Sequence, residues 1–383
     1  MAGAQRFGAA ARALWSLDSD VDFLNHGSFG ATPRAVQAIQ DRWRTRLEAQ
    51  PVAFMLEVLG PELERAAAEL AAFLGADAGD LAFVANATEG ANAVLGAQDL
   101  APGAAVMTTS GAYPAVRNTL DHLCRARGWR LHVAALPTPL AGPEDAIAAV
   151  AAGLAASGAR LAVLDHVVSA SGTVLPIAAL CRACRERGVA VLVDGAHAPG
   201  MLDLDVPAIG ADWYVGNCHK WLCAPKGAGF LWARKDRRER LHPAVISNLY
   251  GAGFPTEFEW TGTRDYSAVL AVPAALACWR ELGPEAARAH MVGLAAEAAA
   301  ALSAAWSSEA AAPPAMCAAM AAVRAPVAGA ADYAAARALR DRLLAEHRIE
   351  VAVNPIDDAL WVRVSAHVYN SPDQYLRLAE ALR

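Results

Sequence analysis

Lysine is rare in this chain, and one lysine stands in a sequence context that could do chemistry. Of the 33 lysines and arginines, only three are lysines, namely Lys220, Lys226 and Lys235. Lys235 lies in the charged run ARKDRRER, which is typical of a solvated surface. For Lys226 a surface role is favoured, although this residue could touch a phosphate. Lys220 lies among apolar and aromatic residues in NCHKWLCAPKGAGF, directly after a predicted strand.

Burial at such a place changes what an amine can do. Desolvation would lower the pKa of Lys220 and make it a better nucleophile toward an aldehyde. Lys220 is therefore the candidate for forming a Schiff base.

A carboxylate precedes this lysine at the end of another apolar run. Asp194 ends VAVLVD. A carboxylate inside an apolar sheet is costly unless it meets a cation, and a protonated pyridine nitrogen is such a cation. Asp194 and Lys220, on successive strand ends, could hold one ring between them. The alternative is that Asp194 only caps the following turn.

An anion site is predicted upstream. In LAFVANATEGAN a strand is followed by residues 86–90 and then by a helical pattern. Free backbone amides and the Thr88 hydroxyl at the start of such a helix would bind a phosphate. The motif alone is weak evidence, because Asn or Thr before a helix is usually only an N-cap.

The elements that position these residues alternate between helix and strand. Between about Pro61 and Trp232, helical segments such as PELERAAAELAAFLG alternate with seven short apolar runs. This order predicts βαβ units on a mostly parallel sheet, with ligands beyond the carboxyl ends of the strands. The seven runs are LAFVAN, AAVMTT, LHVAAL, LAVLDH, VAVLVD, DWYVGN and GAGFLWAR.

The last third of the chain has a different pattern. Ala-rich helices come first, then shorter strands near MCAAMAAVRA, IEVAVN and ALWVRVS, and a final helix from about Pro372. The predicted organisation is an α/β protein with a large domain (31–265), a smaller α+β C-terminal domain (266–383), and an N-terminal segment (1–30) that joins the small domain.

Composition excludes several other classes of protein. The net charge is −6 and no basic run is sustained, so nucleic acid is not an expected partner. The N-terminus has no signal-peptide pattern, and no stretch is long and uncharged enough to span a bilayer. We therefore expect a cytoplasmic protein.

The seven cysteines are scattered and odd in number, which favours free thiols. Cys181 and Cys184 form a CxxC, but it lies in the amphipathic pattern PIAALCRACRERG without a second pair. Helix packing is favoured over a zinc or redox site, and no metal site is predicted.

Together these motifs are recognisable. The sequence resembles the class V aminotransferase family of fold-type I enzymes that use pyridoxal 5′-phosphate (PLP), and within it the isopenicillin N epimerase-like branch. The motifs span nearly the whole chain in the family's order and are far more specific for fold and cofactor than for the reaction. They are LNHGSFGATP, NATEG, AYPAVRNTL, LDHVVSASGTVLPI, VDGAHAPG, GNCHKWLCAPKGAGFLW, EWTGTRD and WVRVSAHVYN.

The resemblance implies a role for each matching residue. Lys220 would form the aldimine with PLP, Asp194 would pair with the pyridine nitrogen, and His197 would lie near the phenolic oxygen. Tyr113 falls where the family places an aromatic residue or His over the cofactor face opposite the lysine, although it could be an ordinary packed loop residue. Ala87, Thr88 and His219 would hold the phosphate, joined by Thr263 from a second subunit of a homodimer. Ser169 would lie near the cofactor oxygen or the substrate.

Substrate contacts are implied in the same way. Arg363 looks like the fork for the α-carboxylate of an amino-acid substrate, a task that suits a bidentate guanidinium. A surface salt bridge is the alternative role for Arg363. Asn25 and His26 look like residues at the entrance of the active site, although His26 could be an ordinary loop histidine.

The reaction is not decided by the sequence. Epimerisation at the α-carbon needs acid and base groups on both faces of the carbanion, and Lys220 with Tyr113 would be a workable pair. The same pair would serve a C–S lyase, and hercynylcysteine sulfoxide lyases resemble this branch too. Transamination comes third.

Two other activities are disfavoured. A cysteine desulfurase needs a nucleophilic cysteine shortly before the carboxylate-binding arginine, and HRIEVAVNPIDDALWVR contains none. A degenerate fold that serves only as a binding module is disfavoured because Lys220, Asp194, His219 and Arg363 are all retained.

Overall fold

A seven-stranded sheet lies at the centre of the larger part of the protein. The structure is a computed structural model that describes residues 7–383. Within this range the strands are β1 (Asp22–Phe23), β2 (Leu81–Val84), β3 (Ala105–Thr109), β4 (Arg130–Ala134), β5 (Leu161–Asp165), β6 (Ala190–Asp194), β7 (Trp213–Asn217), β8 (Gly229–Ala233), β9 (Met320–Arg324), β10 (Ile349–Glu350), β11 (Ala352–Ile356) and β12 (Ala359–Ser365).

Helices cover this sheet and build the rest of the fold. They are α1 (Ala9–Arg12), α2 (His26–Phe29), α3 (Arg34–Ala49), α4 (Pro51–Ala53), α5 (Leu59–Phe73), α6 (Ala87–Gly96), α7 (Pro114–Arg127), α8 (Pro143–Ser157), α9 (Ile177–Arg185), α10 (Val206–Ile209), α11 (Ser267–Leu270), α12 (Val272–Leu282), α13 (Pro284–Trp306), α14 (Tyr333–His347) and α15 (Pro372–Ala381). None of the helices in the described range is long and apolar enough to cross a membrane.

The large sheet has the strand order β2-β8-β7-β6-β5-β3-β4. Strand β8 is antiparallel to both of its neighbours, and the contacts among the other strands are parallel. Every residue of β3, β5, β7 and β8 is buried. Continuous apolar runs of this kind are expected where helices cover both faces of a sheet. The prediction of a mostly parallel seven-stranded sheet is confirmed.

Helix α9 shows how the covering helices pack. Ile177, Leu180, Cys181 and Cys184 face the core, at the spacing of one helical face. Burial raises the pKa of Cys181 to about 12 and that of Cys184 to about 11. The two cysteines of the CxxC motif are therefore packed core residues with protonated thiols.

A second, antiparallel sheet with the order β11-β12-β9 lies in the C-terminal part. Its core contains Leu24, and β1 pairs with β10. Apart from Leu24, the buried hydrophobic residues up to Met291 belong to the core around the large sheet, whereas Leu294 and later residues mostly belong to the second core. The domain boundary at 265/266 remains a prediction.

The carboxyl ends of the central strands bring the polar residues together. Strands β5 and β6 are parallel and in register, so that Asp165 lies directly beside Asp194. The adjacent strand β7 leads to His219 and Lys220. One edge of the sheet thus carries the acid and the amine that the sequence singles out, Asp194 and Lys220, together with Asp165.

Candidate active site

A cavity of about 450 Å³ lies beyond these strand ends, and we call it the cofactor cavity. It also takes in the start of α6 and the loop after β5. Eight of the residues predicted for the site line it, and they are Ala87, Thr88, Tyr113, Ser169, Asp194, His197, His219 and Lys220. Asn25, His26, Thr263 and Arg363 do not line it.

Lys220 is buried at the wall of the cofactor cavity, with 8% of its surface exposed. Its Nζ lies 3.2 Å from Nε2 of His197. Burial, aided by the charge of Arg363 and opposed by that of Asp194, lowers the pKa of Lys220 to about 7. At neutral pH a large fraction of this amine is therefore unprotonated and nucleophilic.

The backbone of Lys220 is held from behind by the N-terminal segment. Gly30 has φ +69°, and a Cβ at this position would lie 2.0 Å from the carbonyl oxygen of His219. His26 is completely buried, with Nε2 at 3.0 Å from the carbonyl oxygen of Lys220 and Nδ1 at 2.7 Å from the hydroxyl of Tyr369. The LNHGSFG motif therefore supports the chain that carries the lysine.

The prediction that His26 lies at the entrance is wrong for this reason. Burial lowers its pKa to about 3, so it is neutral. Its ring stacks on that of His367 with centroids 4.1 Å apart and 24° between the planes, and the Sγ atom of Cys223 lies 3.5 Å from Nε2 of His367. A single metal ion could not lie in both ring planes in this arrangement, because the rings are stacked. His26, His367 and Cys223 therefore form a packed cluster behind Lys220.

Asp194 and Asp165 form a buried pair of carboxyl groups. Asp194 accepts a hydrogen bond from the backbone N–H of Ala196 at 3.0 Å, so one of its oxygens does cap the following turn. Burial raises the pKa of both groups. For Asp165 the negative charge of Asp194 raises the pKa further, whereas Lys220 lowers that of Asp194. Asp165 is therefore the carboxyl group of the pair that binds a proton more readily, and Asp194 is the one that Lys220 helps to keep charged.

The sequence prediction missed Asp165, although a signal existed. LAVLDH ends in polar residues just as VAVLVD does, and two such parallel strands place their last residues together if they are neighbours. Which strands are neighbours was not known from the sequence.

His197 has one nitrogen engaged and one free. Its Nε2 lies 3.3 Å from the Oγ atom of Ser169, and its buried Nδ1 has no hydrogen-bond partner. Burial holds its pKa well below the usual range, and the charge of Lys220 adds to the effect, so the ring is neutral. Because buried polar atoms are rarely left unpaired, this nitrogen fits a site that receives a polar ligand.

The start of α6 forms the anion-binding wall of the cofactor cavity. The side chain of Asn86 accepts from the N–H of Glu89 at 3.0 Å, so Asn86 is an N-cap, as the simpler interpretation held. The amide of Ala87 donates to Oδ1 of Asn217 at 2.8 Å, which leaves Thr88 as the freer donor of this turn. A helix of ten residues directs its positive end here.

Two basic side chains lie beside this turn. Burial, with smaller contributions from the charges of Lys220 and Lys226, lowers the pKa of His219 to about 4, so it is neutral. Lys226 also belongs to the cavity lining. Lys226 is exposed, in agreement with the favoured surface role, and its place in the lining also leaves open a contact with a phosphate.

Arg363 is a buried cation without an acidic partner. Its guanidinium donates to the carbonyl oxygen of Ser169, to Oγ of Ser28 at 3.0 Å and to Oδ1 of Asn25 at 3.3 Å, and its Nε has no partner. Burial lowers its pKa to about 10, so it stays charged at neutral pH. Because a buried charge is costly unless it is paired, this one is suited to a carboxylate ligand. The surface salt bridge considered as its alternative role is wrong.

Tyr113 and Thr263 differ from these buried residues. Tyr113 lies just before α7 at the rim of the cofactor cavity, with 40% of its surface exposed. Thr263 is exposed and lies outside the cavity of its own chain. All seven cysteines lie within the described residues, and none of them lines the cavity, which leaves no thiol there for a persulfide.

Comparison with known proteins agrees with this geometry. The family model for aminotransferase class-V matches residues 37–378. An isopenicillin N epimerase of Amycolatopsis lactamdurans is 37% identical, over 98% of this chain and 98% of that protein. A probable chloroplastic L-cysteine desulfhydrase of Arabidopsis thaliana is 34% identical, over 95% of this chain and 83% of that protein.

A solved structure extends the likeness to the fold. The apo cysteine desulfurase of Thermococcus onnurineus NA1 superposes with a TM-score of 0.81 at 20% identity, over 99% of this chain and 98% of that one. This chain belongs to the aminotransferase class-V family. Its cofactor is PLP, and the free Nδ1 of His197, the start of α6 and the buried carboxyl group of Asp194 fit that group.

Lys220 should react with PLP as an amine of unusually low basicity. In a Lys226→Arg/Lys235→Arg chain it is the only lysine. We expect the apoprotein to couple with PLP at a rate that rises about tenfold per pH unit below pH 7 and then levels off, because protonation removes the nucleophile below its folded pKa. Stopped-flow absorbance measures the rate, and borohydride reduction with peptide mapping locates the product. A rate that keeps rising to pH 10 would show an ordinary lysine.

The two carboxyl groups should respond differently to the same substitution. Asp165→Asn replaces the more readily protonated acid with a neutral isostere, so we expect PLP affinity within about threefold of the original. Asp194→Asn removes the charge that faces the cofactor, and we expect affinity to fall by at least about tenfold. Absorbance titration of both apoproteins with PLP makes the comparison. Equal losses would contradict the assignment of the higher proton affinity to Asp165.

Proposed function

We propose that this enzyme removes the α-proton of an amino acid with Lys220 and returns a proton on the opposite face, as an epimerase. The single observation that carries the proposal is the amine of Lys220, whose pKa of about 7 suits a base at neutral pH. Bound PLP would supply the electron sink that makes the α-proton acidic. Arg363 would hold the α-carboxylate, and Asn25 would keep Arg363 in place.

Tyr113 is the proposed second proton carrier. It comes from the loop before α7, whereas Lys220 follows β7, so the two side chains enter the cofactor cavity from different elements. Its position at the rim would let its hydroxyl exchange protons with water. The 37% identity to a protein named isopenicillin N epimerase, over nearly the whole of both chains, supports this choice.

A C–S lyase is the second candidate. A further cavity lies on the other side of Tyr113 and would give a sulfur leaving group a place to go, while Tyr113 supplied its proton. The relatives named L-cysteine desulfhydrase support this alternative. Both candidates share Lys220 as the base and differ in the fate of the electrons left on the α-carbon.

An experiment in heavy water separates the two. Holoenzyme is incubated with isopenicillin N, with L-cysteine and with a panel of other L-amino acids. α-Deuterium, chirality, pyruvate and ammonia are followed together. Deuterium gain with inversion and no pyruvate is expected, and pyruvate with ammonia but no inverted product would establish the lyase instead.

Tyr113→Phe sharpens the test. For an epimerase we expect deuterium exchange without inversion to survive while inversion falls by about 100-fold or more, because only the second face loses its proton carrier. The absorbance band of the lysine-bound cofactor must be retained in this variant. Inversion at an unchanged rate would remove Tyr113 from the mechanism.

We also propose that two chains assemble so that Thr263 of one completes the phosphate site of the other. Thr263 is exposed, and large apolar side chains are exposed both at the cofactor cavity, where Phe29 has 74% of its surface in solvent, and at Val245, Ile246 and Tyr250. Exposed apolar side chains of this kind are suited to a protein interface.

Mixing two inactive variants tests this arrangement. A hybrid of a Lys220→Ala chain and a Thr263→Ala chain contains one intact site only if Thr263 acts across the interface. We expect PLP affinity in the mixture to recover above that of Thr263→Ala alone, with light scattering reporting a dimer. No recovery in a proven hybrid would show that Thr263 acts within its own chain or not at all.

A further inference from the structure

A second cavity of about 350 Å³ adjoins the cofactor cavity, and we call it the outer cavity. Tyr113 and Ser169 belong to the linings of both. The outer cavity lies between the loop that leads to α7, the loop after β5, and the turn from β11 to β12. The two cavities therefore meet beside Tyr113 and Ser169.

Arg363 determines which part of a substrate reaches this passage. Its guanidinium lies under the loop after β5 and donates to the carbonyl oxygen of Ser169. A substrate whose α-carboxylate meets Arg363, and whose α-carbon lies near Lys220, has one substituent left that can extend past Ser169. That substituent is the side chain.

The walls of the outer cavity are apolar or neutral, with one exception. Leu136, Leu140, Val168 and Ile356 supply apolar surface. The hydroxyls of Ser171 and Thr173 are bonded to each other at 2.8 Å. Asp357, in the turn after β11, is the only charged residue of the lining, and no lysine or arginine of the described chain belongs to it.

The turn that carries Asp357 is tied to the opposite wall. Nδ2 of Asn354 donates to the carbonyl oxygen of Ala170 at 3.0 Å. This bond joins the C-terminal sheet to the loop after β5, so the outer cavity has a defined width. Because a water molecule in the liquid occupies about 30 Å³, the cavity has room for roughly ten non-hydrogen atoms.

We propose that the outer cavity binds the side chain of the amino-acid substrate, and that this side chain is extended and ends in a neutral or positively charged group. Cysteine is too short to enter, since its side chain is one carbon and one sulfur atom. A second carboxylate would be repelled by the exposed charge of Asp357 without a compensating cation in the lining. This inference rests on the proposed function, because it takes Lys220 and Arg363 to place the substrate.

Three amino acids of equal length test the proposal. L-2-aminooctanoate, L-2,8-diaminooctanoate and L-2-aminosuberate differ only in the end of the chain, which is neutral, cationic or anionic. Dissociation constants come from the spectral change of the lysine-bound cofactor in the holoenzyme, with L-alanine as the short reference. We expect the neutral and cationic ligands to bind at least about tenfold tighter than alanine, and aminosuberate to bind more weakly than both.

Two substitutions locate the effect. Ile356→Trp fills the cavity, so the preference for the eight-carbon ligands over alanine should fall at least about tenfold. Asp357→Asn should lower the preference for diaminooctanoate over aminooctanoate, whereas the matched control Asp358→Asn, on the neighbouring exposed residue outside the lining, should not. Asn tolerates the positive φ of 50° at position 357, so this change adds no strain.

The outcomes are distinguishable from failure of the proposed function. Aminosuberate that binds as tightly as the other two, or Ile356→Trp that leaves the preference for long chains intact, would overturn the assignment of the outer cavity. If no amino acid, alanine included, changes the spectrum or gains α-deuterium, the proposed function itself fails.

Discussion

The burial of one amine at the carboxyl edge of the sheet is the constraint on which the site depends. Lys220 must stay desolvated to be neutral near pH 7, and this requires a wall that excludes water on every side except the cavity. The N-terminal segment provides that wall from behind, through Gly30 and His26. A segment far away in sequence therefore sets the reactivity of the lysine.

Several polar and charged groups around this amine lack partners. Arg363 is buried without a carboxylate, the free nitrogen of His197 has no partner, and the carboxyl groups of Asp194 and Asp165 are buried side by side, which raises the pKa of both. Each of these features costs stability in the absence of a ligand. Together they describe a site whose missing partners are a carboxylate and the polar groups of a cofactor, so binding both would satisfy groups that folding leaves unpaired.

The sequence predicted more of the fold than of the contacts. The apolar runs were long and regular enough to locate all seven strands of the large sheet, and Asp194 and Lys220 could be recognised because polar residues at the ends of apolar strands are unusual. His26 was misjudged because its partners, Lys220 and Tyr369, are 194 and 343 residues away. Asp165 was missed because its importance comes from lying next to Asp194. The sequences of the two strands do not show that these strands are neighbours in the sheet.

The amino-acid sequence by itself determined the helices and strands, the single lysine able to act as the nucleophile, and the membership in a cofactor-dependent family. These properties follow from local patterns and from residue types, which the chain carries whether it is folded or not. Tertiary structure decided which groups are charged, where Arg363 finds no acid, and that a second cavity adjoins the first beside Tyr113 and Ser169. Protonation and cavity shape depend on burial and on distances between remote residues, and these exist only when the chain is packed.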